Sequence, residues 1–273
     1  MSISTSIAAL QADKAAIAAA ITAKGGTVNE GDGYNDFATD IGTISGGGAT
    51  RETTSSLGYV ASDIVYHFDG DKNVAGYPHD SNMTTIWGDL KGNGGYRASG
   101  NIGANYYQTN GTSDTIIKLP SIYDIQSQIT LEITFEINSY TTGENDFCSN
   151  FMSAGIGIYK NSNSTKIQAD IRLGGIYNAI IGTENIVLNK KYCAQAAYDG
   201  SAYSFYINGA KQGEMSLSGY IQQSSDAFGI GGAGRVAYQS NIKCYALRVY
   251  SRGLTEAELA QNWAADAERF GIT

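Results

Sequence analysis

The chain has 273 residues, enough for one large β domain with a small appendage or for two ordinary domains. Hydrophobic residues reach 42%, sufficient for a core, whereas charged residues are only 16% and the net charge is −8, so no basic surface is expected for nucleic acid or for an anionic membrane. Tyr (19) and Gly (34) are abundant and Pro (2) is scarce, a composition that suits strands and also sugar-facing surfaces, where aromatic rings stack and amides bond hydroxyls.

The N-terminal stretch MSISTSIAALQADKAAIAAAI has no basic opening and carries Asp13 and Lys14 within its apolar run, so it reads poorly as a signal peptide. Synthesis in a cytoplasm without general secretory export is the expectation. No run of about 18 apolar residues offers a membrane span.

Residues 5–24 predict a helix, capped by Ser4, Thr5 or Ser6 and Ala-rich inside. Ile3, Ile7, Leu10, Ile17 and Ile21 fall on one heptad seam, with Lys14 at the missing position. Ile or Leu at both seam positions favours three or four strands, so self-association is expected, with a homotrimer favoured; the alternative is one amphipathic helix packed on the next segment. Gly25 and Gly26 stop the helix. Tyr34, Phe37, Ala38, Ile41 and Ile44 then recur at helical spacing, and residues 46–56 read as a Gly/Ser/Thr-rich linker. The domain reading is therefore a helical oligomerisation module over 1–45, a linker over 46–56 and a sandwich over 57–273.

From residue 57 short apolar or alternating runs recur between turns: 63–68, 115–119, 129–137, 155–159, 167–173, 192–198, 204–207, 227–230 and 241–250. That even spacing predicts a mainly β sandwich or jelly roll. Thr255 with Glu258 forms a capping box for a last helix that runs to about Arg269 and stops at Gly271. Cys148, Cys193 and Cys244 are odd in number and irregular in spacing, with no metal-type pair, and are expected as buried thiols.

Four stretches carry a family resemblance: Ile64–Gly70 (IVYHFDG) with His79-Asp80-Ser81 and Trp87–Gly94 (WGDLKGNG); Ile129–Ile137; Ala197–Gly200 through Phe205–Gly209 (AYDG…FYING); and Leu247–Thr255 leading to Arg269–Ile272. In this order they resemble the laminin-G-like, concanavalin A-like jelly rolls of bacterial and bacteriophage surface proteins. The resemblance covers residues 58–272 and implies two antiparallel sheets with a short closing helix, preceded here by the small α-helical N-terminal module. The N-terminal pattern ITAKGGTV followed by a turn and YNDFATDI is similar to short modules of phage and prophage structural proteins. Jointly the two resemblances imply a virion-surface fibre or decoration protein, on head or tail, assembled in the host cytoplasm. It would be held to other virion proteins by its N-terminus and present a non-enzymatic, lectin-like sandwich to host-surface or environmental glycans. A structural decoration without ligand is an alternative.

Candidate chemistry is sparse. Glu132, Thr134 and Glu136 share one strand face, the arrangement by which related sandwich-fold glycosidases pair an acid with a nucleophile, but Thr134 stands where they carry Asp. A glycan hydrolase using Glu132 and Glu136 is thus the enzyme alternative. His67 is expected to be structural. Asp69, Asp71 and Asp80 lie in loop-like sequence, and relatives hold calcium at a sandwich rim, so these three are the candidate calcium ligands, turn aspartates being the plainer reading. Tyr77, Trp87, Tyr96, Tyr106, Tyr107, Tyr177 and Tyr238 are the candidate sugar-stacking aromatics, with Trp87 also a candidate for the core.

Overall fold

A computed structural model describes residues 3–23, 28, 53–71, 86–91, 95–97, 100–103, 105–119, 122, 125–141, 143–150, 155–222, 228–232 and 238–273. The chain divides into two units, Met1–Glu52 and Thr53–Thr273. In the first, α1 spans Ile3–Ala23. Of its seam residues Ile7, Leu10 and Ile17 are exposed and Ile21 is buried, while the side chain of Ile3 and the expected second helix lie outside the described residues.

The second unit starts earlier than the expected boundary at 57. Thr54 is buried and its hydroxyl lies 3.1 Å from His67 Nδ1, so residues 53–56 belong to the sandwich and not to a linker. His67 is structural as expected: burial holds it well below the usual imidazole range.

The strands of this unit are β1 (Ile64–Asp69), β2 (Ile86–Gly88), β3 (Gly95–Arg97), β4 (Asn101–Ile102), β5 (Tyr107–Gln108), β6 (Ile117–Leu119), β7 (Ile129–Ser139), β8 (Asn145–Ser149), β9 (Ile156–Lys160), β10 (Ile167–Leu173), β11 (Ile176–Ile181), β12 (Lys191–Tyr198), β13 (Ala202–Ile207), β14 (Ala210–Ser216), β15 (Phe228–Ile230) and β16 (Asn241–Tyr250). Among the described residues they form an eight-stranded sheet ordered β14-β13-β12-β7-β16-β5-β4, with β1 also on β16, and a six-stranded sheet ordered β11-β10-β9-β8-β15-β6. All pairings are antiparallel, and β2 with β3 makes a separate ribbon.

Alternation explains the core. On β7, Ile129, Leu131, Ile133, Phe135 and Ile137 face the second sheet, where Ile156, Ile158, Ile167, Ala169 and Ile171 meet them. Phe135 packs on Phe147 across the gap with ring centroids 4.4 Å apart. Removing one such large side chain costs about 2–5 kcal/mol. The Cys148 and Cys244 thiols lie in this core and Cys193 lies on the opposite face of the eight-stranded sheet; all three are free and buried.

Yet β7 is buried along both faces from Ile129 to Ile137. The reason is the last helix, α2 (Glu256–Phe270), which covers the outward side of the eight-stranded sheet through Leu259, Asn262, Asp266 and Phe270. Its predicted capping box is present, and Gly271 closes it at φ 62, a left-handed position that suits glycine. On β16 a bulge between Cys244 and Ala246 shifts the side-chain phase, so Cys244 and Leu247 both face the core while Arg248 turns outward under α2. The Asn208-Gly209 turn joins β13 to β14 with both residues at positive φ (49 and 74), the conformation that matches the twist of a tight hairpin.

Candidate functional site

The covered face of the eight-stranded sheet settles the glutamate pair. Glu132 is fully buried: Arg248 Nε donates to it at 2.7 Å, Gln195 at 2.7 Å and Asn262 at 2.9 Å. Arg248 also grips Asp266 of α2 through Nη1 (3.0 Å) and Nη2 (2.5 Å), and Thr134 donates to the same carboxylate at 2.7 Å. Glu136 is buried as well, held by Lys243 at 2.8 Å and Tyr245 at 3.0 Å. The residues share a face as expected, but that face is closed by a helix. No substrate reaches Glu132, so the expectation of a hydrolytic Glu132/Glu136 pair is corrected.

The calcium expectation is not met at Asp69, one of the two of its three residues that the structure describes. Asp69 is fully buried and its carboxylate receives both arms of Arg269, at 2.5 and 2.9 Å, while Asp71 lies 3.7 Å from the same guanidinium. A carboxylate already neutralised by an arginine does not fit a divalent ion, and no group of three metal-type ligands occurs among the described residues. Asp80 lies outside the described residues.

Of the aromatic candidates, Trp87 and Tyr107 are core residues. They stack on one another at 5.6 Å, the Trp87 indole donates to the Asp69 carbonyl at 3.1 Å, and the Tyr107 hydroxyl donates to the Thr115 carbonyl at 3.0 Å. Neither presents a ring to solvent, which corrects their placement in a sugar face. Tyr96 sits opposite Trp87 in the β2–β3 ribbon, and its side chain, like all of Tyr77, lies outside the described residues. Tyr106 is half-buried on the outward side of the eight-stranded sheet, edge-on to Tyr245 at 5.8 Å with Lys243 Nζ 5.3 Å from its ring centre. Tyr238 is half-buried, and its carbonyl accepts from the Asp146 amide at 2.9 Å. Among the described residues, these side chains do not come together in one site.

Tyr177 is different. It stands on β11, an edge strand, with 44% of its surface exposed. It belongs to the outward face of the six-stranded sheet, the side turned away from the core. Strand register puts Tyr177 beside Arg172, Ala179 beside Asp170, and Ile181 beside Gln168. Gln168 in turn pairs with Tyr159 of β9. The hydroxyls of Tyr159 and Tyr177 both donate to the Asp170 carboxylate, and Gln168 Nε2 lies 3.2 Å from its other oxygen and 2.7 Å from the Tyr159 hydroxyl. The result is a fixed polar cluster beside a shelf of Tyr177, Ala179 and exposed Ile181, side chains that repeat along the strand about every 7 Å.

The electrostatics of this cluster are unusual for the molecule. Burial pushes the Asp170 carboxyl up to about 6, despite the hydrogen bonds from Tyr159, Tyr177 and Gln168 that favour its charge. Burial and the neighbouring carboxylate push both phenols above the usual tyrosine range. The shelf therefore offers a short apolar strip and an aromatic ring locked in orientation by a buried carboxylate–amide pair. Sequence reading singled out Tyr177 but missed Asp170, Gln168 and Tyr159. The signal was present in Ile167–Leu173, where Gln, Asp and Arg alternate with Ile, Ala, Ile and Leu.

Trypanosoma rangeli sialidase in complex with a difluorinated nononic acid superposes with a TM-score of 0.58 at 16% identity, covering 78% of this chain and 34% of that one. The binding domain of Paraclostridial Mosquitocidal Protein 1 gives 0.55 at 16% identity, covering 74% and 52%, and the botulinum neurotoxin serotype D binding domain gives 0.51 at 13%, covering 76% and 52%. At these identities the likeness is one of fold, and the chain spans about a third of the sialidase and about half of the toxin domains. No curated protein sequence matches the chain. The family described as the Concanavalin A-like lectin/glucanases superfamily matches residues 109–260, from β6 through the first turn of α2. With more than half its length inside that match and the two-sheet architecture to go with it, the chain belongs to the concanavalin A-like lectin/glucanases superfamily.

Proposed function

We propose that the chain is a binding module, without catalytic activity, whose sandwich takes a saccharide on the outward face of the six-stranded sheet at Tyr177. The observation that carries this reading is the Tyr177–Asp170 pairing: an exposed ring fixed by a buried carboxylate, with the Gln168 amide beside it. Sugars present one apolar face, and an exposed aromatic ring locked in orientation answers it at little entropic cost. The burial of Glu132 and Glu136 supports binding over hydrolysis by that pair. The resemblance of residues 1–45 to phage structural modules supports a place on a virion surface, with a self-associating N-terminus, attachment to other virion proteins and the sandwich turned towards host-surface glycans.

The test is a glycan and host-envelope binding screen of the full chain, its Tyr177→Ala variant and a sample with calcium chelated. Saturable binding that Tyr177→Ala weakens at least tenfold, unchanged by chelation, supports the reading. Binding untouched by Tyr177→Ala removes the shelf as the site. No binding across a broad panel favours a decoration protein without ligand.

A further inference from the structure

A second place on the sandwich has the form of a ligand pocket. At one end of the two sheets a cavity of ≈ 230 Å³ opens between the start of β10, the 184–190 loop and the β13–β14 hairpin. Its floor is apolar, built from Ile167, Ile186 and Ile207, with Tyr192 beside them. Its mouth carries two exposed opposite charges, Glu184 and Lys190, the latter lying 5.6 Å from the centre of the Tyr192 ring.

The walls are pinned. The Ile186 amide donates to the Thr165 carbonyl at 2.7 Å, the Val187 amide to the Tyr192 hydroxyl at 2.8 Å and the Asn189 amide to the Ile137 carbonyl at 2.9 Å. Across the opening, Asn208 accepts from the Cys193 amide at 2.9 Å, and Gln212 accepts from the amide and hydroxyl of Thr183 at 2.9 and 3.0 Å. The cavity therefore exists before any ligand arrives. It is distinct from the Tyr177 shelf: Tyr177 points to the outward face near the other end of β11, whereas the cavity lies beyond Ile181, where that strand ends.

We infer that this cavity binds the acetamido group of an N-acetylated amino sugar. The floor asks for a methyl-sized apolar group, the Glu184 carboxylate for an N–H donor and the Lys190 ammonium for a carbonyl acceptor. An acetamido group presents all three within a few bonds, and the cavity of ≈ 230 Å³ leaves room for the ring that bears it. A plain hexose has neither the methyl nor the amide.

The inference can fail independently of the Tyr177 reading. Methyl spectra of the isotope-labelled full chain would be recorded while N-acetylglucosamine, and separately glucose, is added into the tens of millimolar. Saturable shifts of the Ile167, Ile186 and Ile207 methyls with N-acetylglucosamine and none with glucose are expected. These shifts should persist in Tyr177→Ala, vanish when Ala210→Phe fills the opening, and require at least tenfold more sugar in the Glu184→Ala/Lys190→Ala double variant. Those two positions are exposed, so the double variant keeps the test alive should Ala210→Phe fail to fold. Equal response to glucose overturns acetamido recognition. Absence of response in the unaltered chain, or loss in Tyr177→Ala with retention in the cavity variants, overturns the cavity as a site.

Discussion

The Tyr177 phenol donates to the Asp170 carboxylate across the β10–β11 pairing, so the exposed ring at the edge of the six-stranded sheet is steered by a charge buried one strand inward. A free tyrosine on an edge strand would sample several rotamers; this one is tethered at its tip.

That tether costs stability. Asp170 holds its proton to about pH 6 in the folded chain, against an unfolded value of 3.8. Its contribution is thus greatest at acid pH and declines as pH rises between those values, by up to about 3 kcal/mol. Asp170→Asn should melt at higher temperature than the parent at pH 7 and lose that advantage near pH 4, while its saccharide affinity falls. Thermal melts of both proteins at the two pH values check this, and a parent that gains stability between pH 4 and 6 relative to the variant would contradict it.

The Glu132–Arg248–Asp266 set behaves in the opposite way. Arg248 holds Asp266 below the usual carboxylate range even though burial opposes it, so the stability Asp266 supplies is present above its unfolded pKa and is lost as pH falls through its depressed folded value. Glu132, raised by burial, takes up a proton first and without penalty. Arg248→Met leaves two buried carboxylates unpaired and should cost about 3–5 kcal/mol at pH 7. The variant should be more stable at pH 4 than at pH 7, the reverse of the Asp266 contribution in the parent. Adding Glu132→Leu and Asp266→Leu should restore much of the loss, measured by urea unfolding.

At the start of α2, Thr255 accepts from the Glu258 amide, and the Thr255 amide donates to the Glu258 carboxylate at 2.9 Å. Arg252 adds a bidentate contact that holds the Glu258 carboxyl down to about 2. Thr255→Ala should cost about 1 kcal/mol, read as a shift in unfolding midpoint with an unchanged denaturant slope.

Self-association through α1 predicts a mass of about three protomers by light scattering for the full chain and one for residues 53–273. A monomeric full chain would remove the seam of Ile7, Leu10 and Ile17 as an oligomer contact.

Much of the architecture could be read from residues alone. The alternation of 129–137, the strand at 167–173 and the Thr255–Glu258 box all appear where their patterns place them. Strands β8 and β14 escaped because the two apolar residues of Asn145–Ser149 are adjacent and Ala210–Ser216 is mostly polar, so neither carries a period-two signal. The site was less legible for a different reason. Whether a polar strand face meets water or a helix depends on elements far away in sequence: Glu132 and Asp170 look alike on their strands, yet α2 closes the first, while the second lies beside an exposed edge. The aromatic count misled similarly, since Trp87 and Tyr107 satisfy their polar atoms internally and so serve the core.

The three thiols have a consequence for where such a molecule can work. Cys148, Cys193 and Cys244 are unpaired and buried, and burial pushes each thiol above its ordinary value, which suppresses the reactive thiolate. The sandwich therefore needs no oxidant to fold and offers none a foothold afterwards. Its integrity is insensitive to redox potential, and passage between a reducing and an oxidising medium leaves its covalent structure unchanged.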